Sequence, residues 1–582
     1  PPQRSPKIVG LILTAGLLLL ARDARAQWEW SLGSFELLGQ EISLELTDTF
    51  KYTFHIKDEL GAHSSRVLGS NGQPMDVHRL DHQVFNTLDL SVSSGVFRLG
   101  ARMDLNIFEG LASEKYCPGD PSWCDEEEEG RRYQNTFALE RIFLSVSEDA
   151  FDVTLGDFYA SIGKGMALSA VKMSELGQDN AIRGGKFVLH HGPVEFTLLG
   201  GTFNFLDVDE AEGWNAPWAA EPVLAGRLEY RIMDLVGVGA HAVLILRECG
   251  EWCNDNGSQF ASQTRVDRDL VGGASVDMPD LLDGQLSFYG EVDLQQTIHE
   301  DGVLRGPGGE QRDGSDPRYK GIAAYAAASG ALFDVNLTLE FKYYNGFRLG
   351  APQAKAQPYE PLYHQPPTLE WIRANVTNNS SVAGTRARLD YSFGELGPVE
   401  LTAFINYGYF ENWDNDGDAP HNVHNPYGGV ELDYLEGAGH ADFTAGARRE
   451  YDEHKELVKY QDTFFELNAE QLLVDNHSLK LSALVMLRKE FKDPDTEEWN
   501  EVELTLDYRF APWMGLTFSY ERKSDQEGRE NYFGGGGGFY VNSGTYVEVW
   551  GGQNKPGIKC RNGACRYYPA FSGVKFILVG RI

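Results

Sequence analysis

Between Phe151 and Leu189 the chain reads FDVTLGDFYASIGKGMALSAVKMSELGQDNAIRGGKFVL, where glycines at 163 and 165 flank Lys164, Lys172 follows, and Arg183-Gly184 closes the stretch. The chemistry open to such a segment is electrostatic. It is apolar and basic where its neighbouring loops are acidic. If it turns back into an enclosed passage, Lys164, Lys172 and Arg183 would meet inward carboxylates such as Glu229, Glu291 and Asp293. Charges around a constriction select which ions pass. The competing use of the same residues is a structural plug packed against a wall, with no traffic.

A second group is Asn412-Trp413-Asp414-Asn415-Asp416-Gly417-Asp418, followed by His421 and His424. Oxygen-bearing side chains at alternate positions beside a glycine resemble a Ca2+ loop, with Asp414, Asp416 and Asp418 as the candidate ligands and Ca2+ as the ion. The position that should carry a bidentate Glu is Val423, so a solvated acidic loop is the alternative. His421 and His424 would share a face only in a helix, which Pro420 and Pro426 oppose. The cysteines form three close pairs, Cys117 with Cys124, Cys249 with Cys253, and Cys560 with Cys565. None has zinc-knuckle spacing, and in an exported chain each pair can close as a local disulfide. No GxSxG elbow, HExxH helix or P-loop occurs, so no catalytic residue and no enzymatic activity is expected.

The elements that must position these groups are extended. In Val502-Glu503-Leu504-Thr505-Leu506-Asp507-Tyr508-Arg509-Phe510 every second residue is apolar, which in a strand makes one face greasy and the other wet. The same split separates Leu224, Gly226, Leu228, Tyr230 and Ile232 from Arg227, Glu229 and Arg231. A soluble sandwich also alternates, so the connections decide. Tight links such as Ser93-Ser94-Gly95 and His191-Gly192-Pro193 trade off with long ones such as 110–131, 248–264 and 346–383. Short turns on one side and long loops on the other is the layout of an outer-membrane barrel. Counting strands from 41–57 to 572–582 gives an all-β, transmembrane antiparallel β-barrel of about 24 strands, in the range of roughly 22 to 26, with short periplasmic turns and long extracellular loops. All three cysteine pairs then fall on the exterior side. In the last segment Val574, Phe576, Leu578, Gly580 and Ile582 share a face suited to lipid, and the strand would pair with the first so that no edge is left.

Lys7, the apolar run Ile8 to Leu20 and Ala24-Arg25-Ala26 have the layout of a secretory signal peptide over 1–26. Residues 27–40 then form a periplasmic N-terminal segment, and 41–582 the barrel, with the loop 161–180 folded into the lumen. No window after the signal peptide approaches the twenty or so apolar residues of a membrane helix. A net charge of −35 argues against nucleic acid as a partner and favours cations in an outer vestibule.

The segment Val153-Thr-Leu-Gly156-Asp-Phe158-Tyr159, with Gly163-Lys-Gly165-Met-Ala-Leu and Glu175-Leu-Gly177-Gln-Asp179-Asn-Ala-Ile-Arg183-Gly184, resembles a family of uncharacterised barrel proteins of Gram-negative envelopes, a domain of unknown function. A phrase like GNFYEQFGxGLxLR…ExxLGxDNAIxG recurs there. Cys560-Arg-Asn-Gly563-Ala-Cys565-Arg566, followed by Pro569, Phe571, Gly573 and Val574, is similar to that family's C-terminal segment. The resemblance implies an outer-membrane location and a barrel, and no particular substrate.

The sequence therefore points to a porin-like outer-membrane channel for passive or gated passage of small solutes or cations. The alternative is an envelope scaffold, a barrel with a loop-filled lumen that docks a partner protein. Membrane lipid is the surrounding partner in both.

Overall fold

The computed structural model describes residues 35–37, 40–55, 80–110, 135–173, 178–203, 221–233, 235–249, 265–299, 318–347, 363–369, 381–413, 421–452, 457–491, 496–524, 530–542, 544–555, 557–561, 564–568 and 571–581. Among them no helix is long and apolar enough to cross a membrane. The chain crosses with strands.

The wall is a closed antiparallel barrel of 24 strands. It runs from Gln40–His55 through Leu80–Ser94 and onward in sequence order to Phe571–Arg581. The last strand pairs with the first in the register Thr47↔Arg581 to His55↔Gly573. Neighbouring strands join by tight turns at one end, as where His191↔Val194 closes over Gly192-Pro193 and Leu332↔Val335 closes over two residues. Apart from local register shifts such as that between Met278 and Leu281, the backbone along the wall thereby pairs with the next strand, which hydrocarbon demands. The N-terminal segment contributes too. Phe35–Leu37 pairs with Gln40–Ile42, covering a stretch of edge that the closing strand, ending at Arg581, does not reach.

Side chains sort by face as the alternation requires. In the strand Pro222–Ile232, Leu224, Leu228 and Tyr230 point outward and remain about half exposed, while Val223 and Ala225 are buried on the other side. Leu294, Ile405 and Phe518 likewise present large apolar groups outward, Ile405 being 66% exposed. In water this would be a costly surface, whereas against lipid it is the favourable one. A run of five glycines, Gly534 to Gly538, stays within the strand Asn531–Asn542 and forms no loop. Its neighbours complete the ladder on both sides.

The lumen departs from the simple expectation of polar inside and apolar outside. Toward the long-loop end, many inward residues from Val194–Phe203 round to His421–Tyr434 are apolar and fully buried, among them Leu199, Val243, Ile245, Val271 and Phe410, with buried polar groups set among them. Here the strands carry apolar residues on both faces, as in Val243-Leu244-Ile245. That is the pattern of an element covered on both sides.

The two faces predict different responses to a charge. Replacing outward Val292 by Arg is expected to cost about 2–4 kcal/mol of folding free energy in lipid vesicles, near the value for a bilayer midplane. Thr402→Arg on the lumen face should cost under about 1 kcal/mol. Denaturant titration of both variants in vesicles checks this, and equal costs would contradict the assignment of faces.

Candidate functional site

The apolar arc is covered by the segment that follows the strand Phe151–Phe158. Ala160–Ile162 pairs with Leu168–Ala170 as a small hairpin, in the register Ala160↔Ala170 to Ile162↔Leu168. Its turn is made by Gly163 (φ +67°) and Gly165 (φ +84°), a left-handed backbone that glycine adopts without penalty. Met166, Ala167 and Leu168 have no exposed surface and join one cluster with the inward wall residues. A second stretch, 363–369, laces the hairpin in place. Ser169 N donates to Tyr363 O at 2.7 Å, and Gln365 N donates to Gly165 O at 2.8 Å. His364 lies between the hairpin and the wall, with Nδ1 2.9 Å from Ala167 O and Nε2 3.2 Å from Asp269 Oδ2. Asp269 also accepts from Gln295 and Thr297.

The turn of the hairpin abuts a buried ionisable cluster. Lys164 N donates to Glu291 Oε2 at 2.8 Å, and the Tyr289 hydroxyl donates to the same carboxylate. Lys164 Nζ stands 4.6 Å from the centre of the Tyr289 ring, with its side chain exposed. Asp293 Oδ1 is 2.6 Å from His241 Nε2, which is 3.8 Å from Glu291 Oε1. Three adjacent strands build this contact. His241 sits opposite Gly273, and Gly273 opposite Asp293. The missing side chain in the middle strand is what lets His241 and Asp293 meet, since a Cβ on Gly273 would overlap Asp293 Oδ1 and lie 2.6 Å from His241 Nε2.

Of the residues singled out in the sequence, the structure brings Lys164, Glu291 and Asp293 together. Lys172 lies exposed in the short pair Lys172–Met173 with Gln178–Asp179. Arg183 grips Asp157 with two prongs, Nε to Oδ1 at 2.9 Å and a terminal nitrogen to Oδ2 at 3.0 Å, and donates to Glu140 O. It alternates with Ile182, whose side chain belongs to the covered cluster, so it serves the joint between Phe151–Phe158 and Ile182–His191. Glu229 pairs with Arg227 on its own strand.

Asp414, Asp416 and Asp418, with Cys117, Cys124 and Cys253, lie outside the described residues. The second barrel strand of that region starts already at His421, so His421 and His424 stand on a strand at an odd spacing, and His424 Nδ1 lies 2.8 Å from the Tyr407 hydroxyl. Cys249 ends the strand Val236–Cys249. Cys560 and Cys565 occupy opposing backbone positions in the pair Gly557–Arg561 with Ala564–Tyr568, their side chains being outside the description.

Sequence reasoning missed His241, Gly273, Tyr289 and the 363–369 stretch. A signal existed for the first: His241 is the one polar side chain in Val238-Gly-Ala-His-Ala-Val-Leu-Ile-Leu246 and shares its face with Val243 and Ile245. No comparable signal marks 363–369.

A family of unknown function (DUF6029) matches residues 73–222, a span containing the hairpin and the Asp157–Arg183 pair. No curated protein matches the chain. Solved structures to which it is similar include the siderophore receptor PirA from Pseudomonas aeruginosa, at 8% identity over 93% of this chain and 80% of that one, with a TM-score of 0.43. Another is the E. coli P pilus tip assembly intermediate PapC-PapD-PapK-PapG, at 11% identity, 92% and 60% coverage and a TM-score of 0.44. A third is OccK5 from P. aeruginosa, at 12%, 74% and 96%, with a TM-score of 0.35.

Gly163→Ala tests the seam. The left-handed backbone costs an L side chain about 1–2 kcal/mol, and the new Cβ would overlap the Glu291 carboxylate. The variant is expected to keep its wall and loosen its hairpin. Hydrogen exchange should then accelerate at the amides of 160–170 and remain unchanged in the strand Leu286–His299. Unaltered exchange in the hairpin would contradict the tight contact.

Proposed function

We propose that the protein is an outer-membrane channel for passive or gated passage of small solutes, exported by the signal peptide of 1–26 and acting without catalysis. The hairpin 160–170 and the stretch 363–369 narrow the lumen at the long-loop end.

The observation that carries this reading is the exposure of charged pairs on the lumen face. Arg227 and Glu229 keep 25% and 26% of their side-chain surface exposed, and Arg388 and Asp390 keep 34% and 19%. Arg388 Nε and a terminal nitrogen both reach Asp390 Oδ1, at 2.9 and 2.7 Å. Glu431, 3.9 Å from Arg388, is 46% exposed. These residues sit at inward positions, where residual exposure means contact with water in the lumen. A wet, charge-lined wall is what conduction needs. With a net charge of −35, the vestibule should favour cations over anions.

The second reading, an envelope scaffold that docks a partner protein, draws on the close packing of the hairpin and the 363–369 stretch against the apolar arc. A lumen filled throughout would pass no steady current. Single-channel recording in planar bilayers separates the two. The expected result is discrete cation-selective conductance, which rises on deletion of Gly163 to Lys172. Absence of steady current from folded protein would overturn the channel reading, and an unchanged current after the deletion would overturn the constriction.

A further inference from the structure

We infer that His241, Glu291 and Asp293 bind a divalent transition-metal cation at the seam between the barrel wall and the inward hairpin. One ligand atom from each lies within 4.8 Å of the other two. The inference stands on this geometry and does not depend on whether the lumen conducts.

The cluster is built and closed off. His241 is 6% exposed, Glu291 2% and Asp293 0%. Within it, Glu291 Oε1 and Asp293 Oδ2 are buried and have no hydrogen-bond partner among the described residues, as is His241 Nδ1. Glu291 Oε1 is directed at His241 Nε2 from 3.8 Å, too far for a hydrogen bond and suited to an atom between them. Space is kept on two sides by glycines, since a Cβ on Gly163 would overlap the Glu291 carboxylate and a Cβ on Gly273 would overlap Asp293.

Charge balance points the same way. Two carboxylates and an imidazole without solvent are costly unless compensated. A protonated His241 would offset only one carboxylate, the Lys164 ammonium is turned away over Tyr289, and Arg227, opposite His241, is paired with Glu229. A divalent cation with neutral imidazole balances both. The donor set decides the class of ion: imidazole with carboxylate oxygens suits zinc, iron or manganese, whereas calcium and magnesium are held by oxygens alone. Three protein ligands leave a coordination position that one enclosed water can fill. Because Glu291 also holds Lys164 N, an ion here fastens the hairpin turn to the wall.

Zinc is the probe. The full chain, refolded in detergent and dialysed against chelator, is titrated with Zn2+ and followed by calorimetry. One tight site per chain is expected. Loss of a ligand should exceed the 10–100-fold effect of outer-shell changes, so His241→Gln and Asp293→Asn should each weaken binding by about 100-fold or more. The combined Asp414→Asn, Asp416→Asn and Asp418→Asn variant, altered only in the acidic loop, should bind as the parent does. No tight site in the folded parent would overturn the assignment, as would unchanged affinity in both ligand variants or loss of binding in the acidic-loop variant. Should the ligand variants not fold, X-ray absorption of the zinc-loaded parent decides. An imidazole among oxygen ligands supports the site, and an oxygen-only shell overturns it.

Discussion

A strand in hydrocarbon has no water to turn to, so each of its amides must be answered by the strand beside it. Around 24 strands this condition can be met only by closure. The contact between Gln40–His55 and Phe571–Arg581, the first and last strands of the barrel, is therefore the joint on which the rest depends. The same condition explains the short strand Phe35–Leu37, laid along the part of the first strand that the last does not cover. It also explains why Gly534 to Gly538 stays extended. A run of five glycines has little intrinsic tendency to form a strand, and two complete ladders hold it there. With the backbone satisfied in this way, the lumen-facing side chains are free to differ from one part of the circumference to another.

They do differ, and the interior holds two environments. On one arc the wall presents Leu199, Val243, Val271 and Phe410 to the hairpin and to 363–369, forming a core like that of a soluble domain. Elsewhere the inward positions carry ion pairs such as Arg388 with Asp390 and Arg488 with Glu501, the latter at 2.7 Å. A barrel filled evenly would need one chemistry all round. The larger dry cluster is on that arc and a smaller one, Phe464 with Leu484 and Met486, is on another, while partly exposed charges such as Arg388 with Asp390 are left to water.

Much of this was legible because the side-chain period of a strand is two and the outer solvent is apolar. Alternation at Leu224 to Ile232, the trade-off of short turns and long loops, and the outward face of Val574, Phe576 and Leu578 gave the strand count and the closing pair. The covered arc was hidden for a physical reason. Val243-Leu244-Ile245 reads as one apolar run, and nothing local says whether its second face meets lipid, a partner or the chain itself. The basic hairpin drew attention to Lys164, but the residue that matters at its tip through a side chain it lacks is Gly163. The approach of His241 to Asp293 was invisible because it depends on register across three strands, and on a glycine that is meaningful only once it stands between them. Arg183 shows the converse. Its charge was conspicuous, and its partner Asp157 was twenty-six residues away in sequence on the adjoining strand.

The placement of the buried acids follows from the width of the barrel. In a small barrel, side chains from opposite walls fill the interior. At 24 strands they cannot reach across, so anything that fills the lumen must be backbone, and backbone brings amides that need partners. The hairpin answers part of this demand by pairing with itself, from Ala160↔Ala170 to Ile162↔Leu168, and part through 363–369. What remains at the seam falls to the wall. The Lys164 amide is met by Glu291, and His364, which accompanies Ala167, is met by Asp269. The acids that look anomalous beside apolar neighbours are thus the groups that receive an incoming chain. An acid placed to accept an amide with one oxygen has a second oxygen to satisfy. For Glu291 that second oxygen faces the imidazole of His241, which is how a requirement of packing comes to assemble a site with the donors of a metal centre.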